Sequence, residues 1–362
     1  MIRARGFSMV ELMVAITLAL IVTTGVISVF VGSRQAFQAT SGTAQLTDGG
    51  RFALNFISNS VRSAGYMACT TASHVQGILN AGSALSYGFN QALGGYEAKN
   101  TGVGAAYTVA TPPVAGDGTA GDWLIGLDAA LVGQPVKPVK NNDVLVVRST
   151  LANAQSVYAS VIADGSDQMT LNTLGTPPLA VGQIAVVSDC YKAVVFQITG
   201  VNAGPIILHD PGGGTPGNNA ASFGPLSFTP GAQVTPVDTV VYYIGPGADG
   251  DGALFAVDLN AVAPAPIGPT ELVPDIEAMQ VLYGLDTTNS QTVSEYVTAD
   301  QVADFNTVMS VKVALLAASA PGAGRPAAAA TYNLLGTIVT PPNDTRARQV
   351  FEETIAVRNA LP

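Results

Sequence analysis

The chain has 362 residues and a formal net charge of −10; 11% of its residues are charged, and it contains 39 glycines and 22 prolines. Roughly a quarter charged is usual for a soluble domain. With no Lys/Arg run to neutralise phosphates, nucleic-acid binding is excluded. The surplus of Gly, Pro and small residues points to a loop-rich, mostly β body rather than a helical bundle.

Residues 7–31 are almost continuously apolar, longer than the roughly 20 residues that cross a bilayer. Arg3 and Arg5 precede the run and Arg34 follows it. Positive residues stay cytoplasmic, so the body is expected outside the inner membrane. Glu11 is the sole charge between Arg5 and Arg34. A carboxylate at membrane depth costs at least a few kcal/mol unless it is paired. A secretory signal cut after the run lacks a small-residue cleavage site before Arg34, and a plain anchor gives Glu11 no role. The order Arg3, Arg5, Gly6, Phe7, Glu11 instead resembles the type IV prepilin signal. That resemblance implies cleavage between Gly6 and Phe7 by a prepilin peptidase on the cytoplasmic side. It also implies N-methylation of Phe7 and retention of the apolar run. Glu11 then lies about one turn from a new α-amino group, positive at neutral pH. Across neighbouring subunits the same pair sets axial register.

The helix is expected to continue, since no proline occurs before Pro112. Phe52, Phe56, Ser60 and Ala64 line one ridge, with Leu54, Ile57 and Val61 beside it, the 3.6-residue rhythm of an amphipathic helix. Gly42 and the pair Gly49–Gly50 predict a bend, and Gly65 a stop. A helix over 7–64 is on the order of 85 Å long. Half of it is for a bilayer or filament core and half for a globular head.

Beyond Gly65 short Val- and Tyr-rich runs bounded by Gly, Pro, Asn or Asp predict strands. They fall at 143–148, 156–162, 184–187, 193–198, 239–244, 254–257, 309–316 and 349–357. Stretches 81–121, 200–236 and 317–330 read as long loops, and Thr298-Ala-Asp-Gln301 as a capping box opening a short helix through Phe305. Cys69 and Cys190, the only cysteines, are either two unrelated thiols or one long-range disulfide, which an exported chain favours. His74 and His209 have neither metal-ligand spacing nor a G-x-S-x-G partner. Trp123 and the tyrosines read as packing residues. Asp249 and Asp251 in an acidic turn, with Asp286 in a second loop, offer a weak calcium alternative. The twelfth position from Asp286 is Val297 and the sixth Gln291, against the EF-hand rule, so hairpin turns are the better reading of both.

Val187-Ser-Asp-Cys190, the segment Glu271-Leu-Val-Pro-Asp-Ile-Glu-Ala-Met-Gln-Val-Leu-Tyr-Gly284, Tyr296-Val-Thr-Ala and the ending Val357-Arg-Asn-Ala-Leu-Pro362 together resemble the PilW family of type IV minor pilins. The resemblance implies an α+β, pilin-like fold. Its parts are a leader at 1–6, an N-terminal helix at 7–65 that is transmembrane over 7–32, and a periplasmic β-rich head at 66–362. It implies a non-enzymatic role without cofactor, in priming and tip assembly of the pilus, with twitching motility and adhesion downstream. The partners it implies are the prepilin peptidase, other minor pilins, the major pilin and a PilY-type tip adhesin. The chain would be single-pass in the inner membrane before it enters the pilus. The J-type pseudopilins of type II secretion share this build. A surface adhesin and an anchored hydrolase are the readings from other classes; the second has no identifiable constellation.

Overall fold

The structure is a computed structural model that describes residues 8–80, 85–151, 157–162, 167–212, 214–220, 223, 228, 230–263, 267–324 and 330–360. One helix, α1 (Met9–Ser63), opens it. α1 runs unbroken through Gly42 and Gly49–Gly50, so these glycines do not interrupt the helix. Two of these glycines serve packing instead. A Cβ on Gly42 would run into the methyl of Ala323, and one on Gly50 into the Phe351 ring. Close approach of helix to head outweighs the helix propensity lost, about 1 kcal/mol per glycine. Past the C-cap Ala64, Gly65 takes φ +75° and turns the chain into the head.

The head is built around eight strands: β1 (Val144–Thr150), β2 (Ile184–Ser188), β3 (Ala193–Gln197), β4 (Gln233–Pro246), β5 (Gly252–Asp258), β6 (Ile276–Leu285), β7 (Val308–Ala318) and β8 (Arg348–Ala356). All but β6 fall on predicted strands. β4 belongs to two sheets at once. Its start, Gln233 to Pro236, pairs with β2; from Val237 it pairs with β1, and from Val240 also with β5. Pro236 marks the change of partner. It has no N–H for a ladder, and its carbonyl instead takes the Leu151 N–H at 2.8 Å.

The first half of β4 roofs a lobe with its own core, where Met169, Phe196, Ile198 and Ile207 are fully buried. The second half contributes Tyr243 to a second core with Trp123 and Phe255. β6, β7 and β8 form a separate antiparallel sheet with Glu295–Val297 at its edge, and α1 packs across β7 and β8. The α+β reading, a long helix followed by a β-rich head, is the observed architecture.

The predicted loops are partly strands. Leu93–Tyr96 and Ala106–Thr108 lie in the first of them, Gly200–Asn202 and Ile206–Leu208 in the second. Ala106–Thr108 pairs in parallel with Thr337–Thr340, far along the chain. The predicted helix after Thr298 is two 3-10 turns, Ala299–Gln301 and Phe305–Thr307. Thr298 caps neither, because its hydroxyl donates to Asp300 Oδ1 at 2.6 Å.

Two buried polar groups tie the sheets together. Asp143 accepts the Ala98 N–H on Oδ1 (3.0 Å) and the Val281 N–H on Oδ2 (2.8 Å), while Asn142 Oδ1 accepts the Met279 N–H at 2.8 Å. Backbone amides of β6 thereby hang from the residues that lead into β1. Arg148, only 5% exposed, donates to the carbonyls of Leu85, Gln91 and Leu93. Its guanidinium closes the chain segment that leaves the disulfide region.

Cys69 and Cys190 are bonded, with a Cα–Cα distance of 4.7 Å and a sequence separation of 121. The bond joins the segment that follows α1 to the turn between β2 and β3. A loop of that length predicts up to about 5 kcal/mol of stabilisation from closure entropy. Cys190→Ser should therefore lower the thermal midpoint, with an unfolding free energy about 2–5 kcal/mol smaller. The drop should disappear when both proteins are melted in reductant; equal midpoints under oxidising conditions would contradict it.

Candidate assembly surface

Ser8 starts α1 and Glu11 closes the start. Ser8 Oγ accepts the Val10 N–H at 3.3 Å, and Glu11 Oε2 accepts the Ser8 N–H at 3.1 Å. This is a capping box, which satisfies amides that the first turn leaves free. The Ser8-x-x-Glu11 spacing carried that signal, and the sequence reading passed over it in favour of a partner across subunits. The bond is to a neutral amide, so among the described residues the Glu11 charge faces no cation. Arg3, Arg5, Gly6 and Phe7 lie outside the described residues.

The other polar side chains of the apolar run are spent on their own helix. Thr17, Thr23, Thr24 and Ser28 each donate to a carbonyl three or four residues earlier. That arrangement lets a hydroxyl sit in hydrocarbon. The most apolar stretch of α1 meets the length and composition of a membrane span and has none of its residues buried in the protein.

Burial begins at Gly42 and recurs at Leu46, Gly50, Ala53, Leu54, Ile57, Ser58 and Val61. Of the two predicted ridges, the one with Leu54, Ile57 and Val61 faces β7 and β8. Phe52 and Phe56 stay 61% and 44% exposed. Ser58 Oγ and Arg62 Nη2 both reach Glu353 Oε1 on β8 at 2.9 Å. The exposed Arg62–Glu353 pair sets position more than stability.

The weak calcium candidates separate. Asp249 and Asp251 lie together, and their third neighbour is Asp275, not Asp286. A cation is already there: Arg346 reaches Asp251 at 2.6 Å and Asp275 at 3.2 Å. Asp286 spends its carboxylate on the backbone N–H groups of Thr288, Ser290 and Gln291. Those bonds hold its pKa below the usual carboxylate range. The loop is thus closed by its own acid. Trp123 is fully buried, as expected of a packing residue, and its Nε1 donates to Asn142 O at 3.1 Å.

The histidines do not combine. His74 is exposed, with Nδ1 3.1 Å from Thr71 Oγ1. His209 is buried and stacks on Phe223 at 4.5 Å, with Phe196 edge-on. Neither of its ring nitrogens has a partner among the described residues, and burial pushes its pKa down to about 4. It is a neutral member of an aromatic cluster, without the hydrogen-bonded acid that orients a catalytic base.

Residues 1–27 match the Prokaryotic N-terminal methylation motif. Residues 241–359 match the family described as Type IV Pilus-assembly protein W. That second match runs from within β4 through the sheet that carries α1. No curated protein matches the chain. Among solved structures it is similar to a Type IV-like pilin, TTHA1219 from Thermus thermophilus, at 18% identity over 51% of this chain and 86% of that one. The TM-score is 0.23, too low to bear on the fold. A methylation motif on a helix whose first half is bare and whose second half carries a β-rich head points to the type IV pilin class. Within that class the sheet-forming C-terminal third is what resembles the PilW family, and the two matches together support a minor pilin of PilW-like kind.

The head interior carries a pH signature. Burial pushes Glu97 and Asp238 up to about 7, and Glu97 Oε2 and Asp238 Oδ1 have no hydrogen-bond partner. The folded state then holds protons that the unfolded chain releases, so these groups stabilise below about pH 4 and that contribution is lost as pH rises toward 7. His209 acts in the opposite sense over the same window. Glu97→Gln with Asp238→Asn should therefore flatten the fall in thermal midpoint between about pH 4 and 7. An unchanged slope would contradict the assignment.

Proposed function

We propose that the chain is cut between Gly6 and Phe7 by a prepilin peptidase, methylated on Phe7, and held as a single-pass protein in the inner membrane with its head in the periplasm. From there it enters a type IV pilus together with other minor pilins and the major pilin, priming assembly and sitting at the tip, where a PilY-type adhesin is its outward partner. The role is structural rather than catalytic. The observation that carries the reading is α1 itself: half of it has no cover among the described residues, and the one carboxylate in that half, Glu11, stands at its start. In lipid, a carboxylate with no cation opposite favours any neighbour that supplies one. A positive amine on Phe7 of an adjacent subunit would be that neighbour, and pairing with it fixes how far one helix slides past the next.

The test is Glu11→Gln. The amide keeps the shape and the apolar helix, so the variant should still insert in the membrane. It should be depleted from sheared surface pili, and piliation and twitching should fall. Normal incorporation of the variant would contradict the register role. Intact pili with failed exoprotein release from a deletion strain would select the type II pseudopilin instead.

A further inference from the structure

A crevice of about 550 Å³ opens beside the disulfide. It lies at the C-terminal end of α1, the end opposite Glu11. Asn359, on its wall, donates to Ala64 O at 3.0 Å, where the helix stops. We propose that this crevice binds a neutral saccharide.

The chemistry of the walls supports it. The hydroxyls of Thr71 and Ser73 and the amides of Asn289, Gln291 and Asn306 line the opening. The three amide side chains are exposed and make no hydrogen bond to protein among the described residues. A side-chain amide offers a donor and an acceptor side by side, which matches two adjacent sugar hydroxyls. Phe305 and Met309 add apolar surface to the wall. Neither Lys nor Arg is among the lining residues, and the carboxylate there, Asp286, is committed to its own loop. The His74 imidazole lines the crevice too, with Nδ1 3.1 Å from Thr71 Oγ1, so an anionic ligand would find no permanent countercharge and a cationic one no free acid. A neutral polyol needs neither.

Two exposed tyrosines are next to lining residues in the chain or in the strand register. Tyr191, next to Cys190, is 88% exposed, and Tyr66, in register with the lining residue Thr71, is 42% exposed. A tyrosine ring left in water gives a flat apolar plate with a polar tip, the surface on which the C–H face of a pyranose lies. The backbone around the crevice is also held in an uncommon conformation. Ala68, Cys190, Asn289 and Gln291 have φ of +63°, +72°, +54° and +61°. Left-handed non-glycine residues cost free energy and gather where a binding surface is preorganised. The disulfide and the Asp286 loop are what hold them here.

The inference stands apart from the assembly reading and fails separately from it. The full chain, in micelles of a sugar-free amine-oxide detergent, is applied to an array of neutral, sialylated and sulfated oligosaccharides. The best neutral member is then titrated by calorimetry. Saturable binding of neutral members is expected. Tyr191→Ala and Asn306→Ala should each weaken it about tenfold, the loss of one good contact, with thermal midpoints unchanged because both side chains are exposed. Binding of charged members alone, no saturable binding, or an affinity that neither substitution moves would overturn the proposal. Glu11→Gln should leave this affinity untouched.

Discussion

α1 is longer than the head can cover, and that mismatch governs the rest of the molecule. From Met9 to Val31 its large apolar side chains stand open; Met9, Ile21 and Val29 are each more than two-thirds exposed. So much apolar surface is not stable in water. It requires lipid or other helices. The hydroxyls that bond back to their own helix suit that environment, and Glu11 at the helix start is the exception, for which a second chain is the proposed partner. The same helix changes character at Gly42, where small residues let it sink onto β7 and β8.

The head is organised to hold the second half of this helix. Glu353 on β8 grips Ser58 and Arg62, and the Phe351 ring fills the space that Gly50 leaves. β6 is fixed to the neighbouring sheet through Asn142 and Asp143. Behind that junction lies a lobe with a separate core, carried on the first part of β4 and stapled to the end of α1 by Cys69–Cys190. The PilW match begins only at residue 241. The match takes in the sheet against the helix, and the lobe from 157 to 234 lies outside it.

Much of this was legible in the sequence. The helix followed from its period and its lack of proline, and strands such as β1, β2, β3 and β7 from short Val-rich runs. What escaped had its cause elsewhere in space. Leu93–Tyr96 contains Gly94–Gly95, a poor strand by composition, yet a Cβ on Gly95 would strike the Tyr283 ring. Ala106–Thr108 is a strand only because Thr337–Thr340 lies beside it. The packing role of the α1 glycines was not legible because propensity is local, whereas Phe351 and Ala323 arrive from far along the chain. At the assembly surface Glu11 stood out by its isolation, and its bond to Ser8 was written in the spacing. That Arg346 would sit among Asp251 and Asp275 was written nowhere in the order of residues.

The central claim is that the bare half of α1 is kept, with a freshly made amine beside Glu11. Intact-mass and N-terminal sequencing of the protein recovered from membranes tests it most directly. The account predicts a chain that begins at N-methylated Phe7, and a Gly6→Ala variant that retains residues 1–6. A mature chain that still begins at Met1 or Ile2, or one that starts beyond the apolar run, would contradict it.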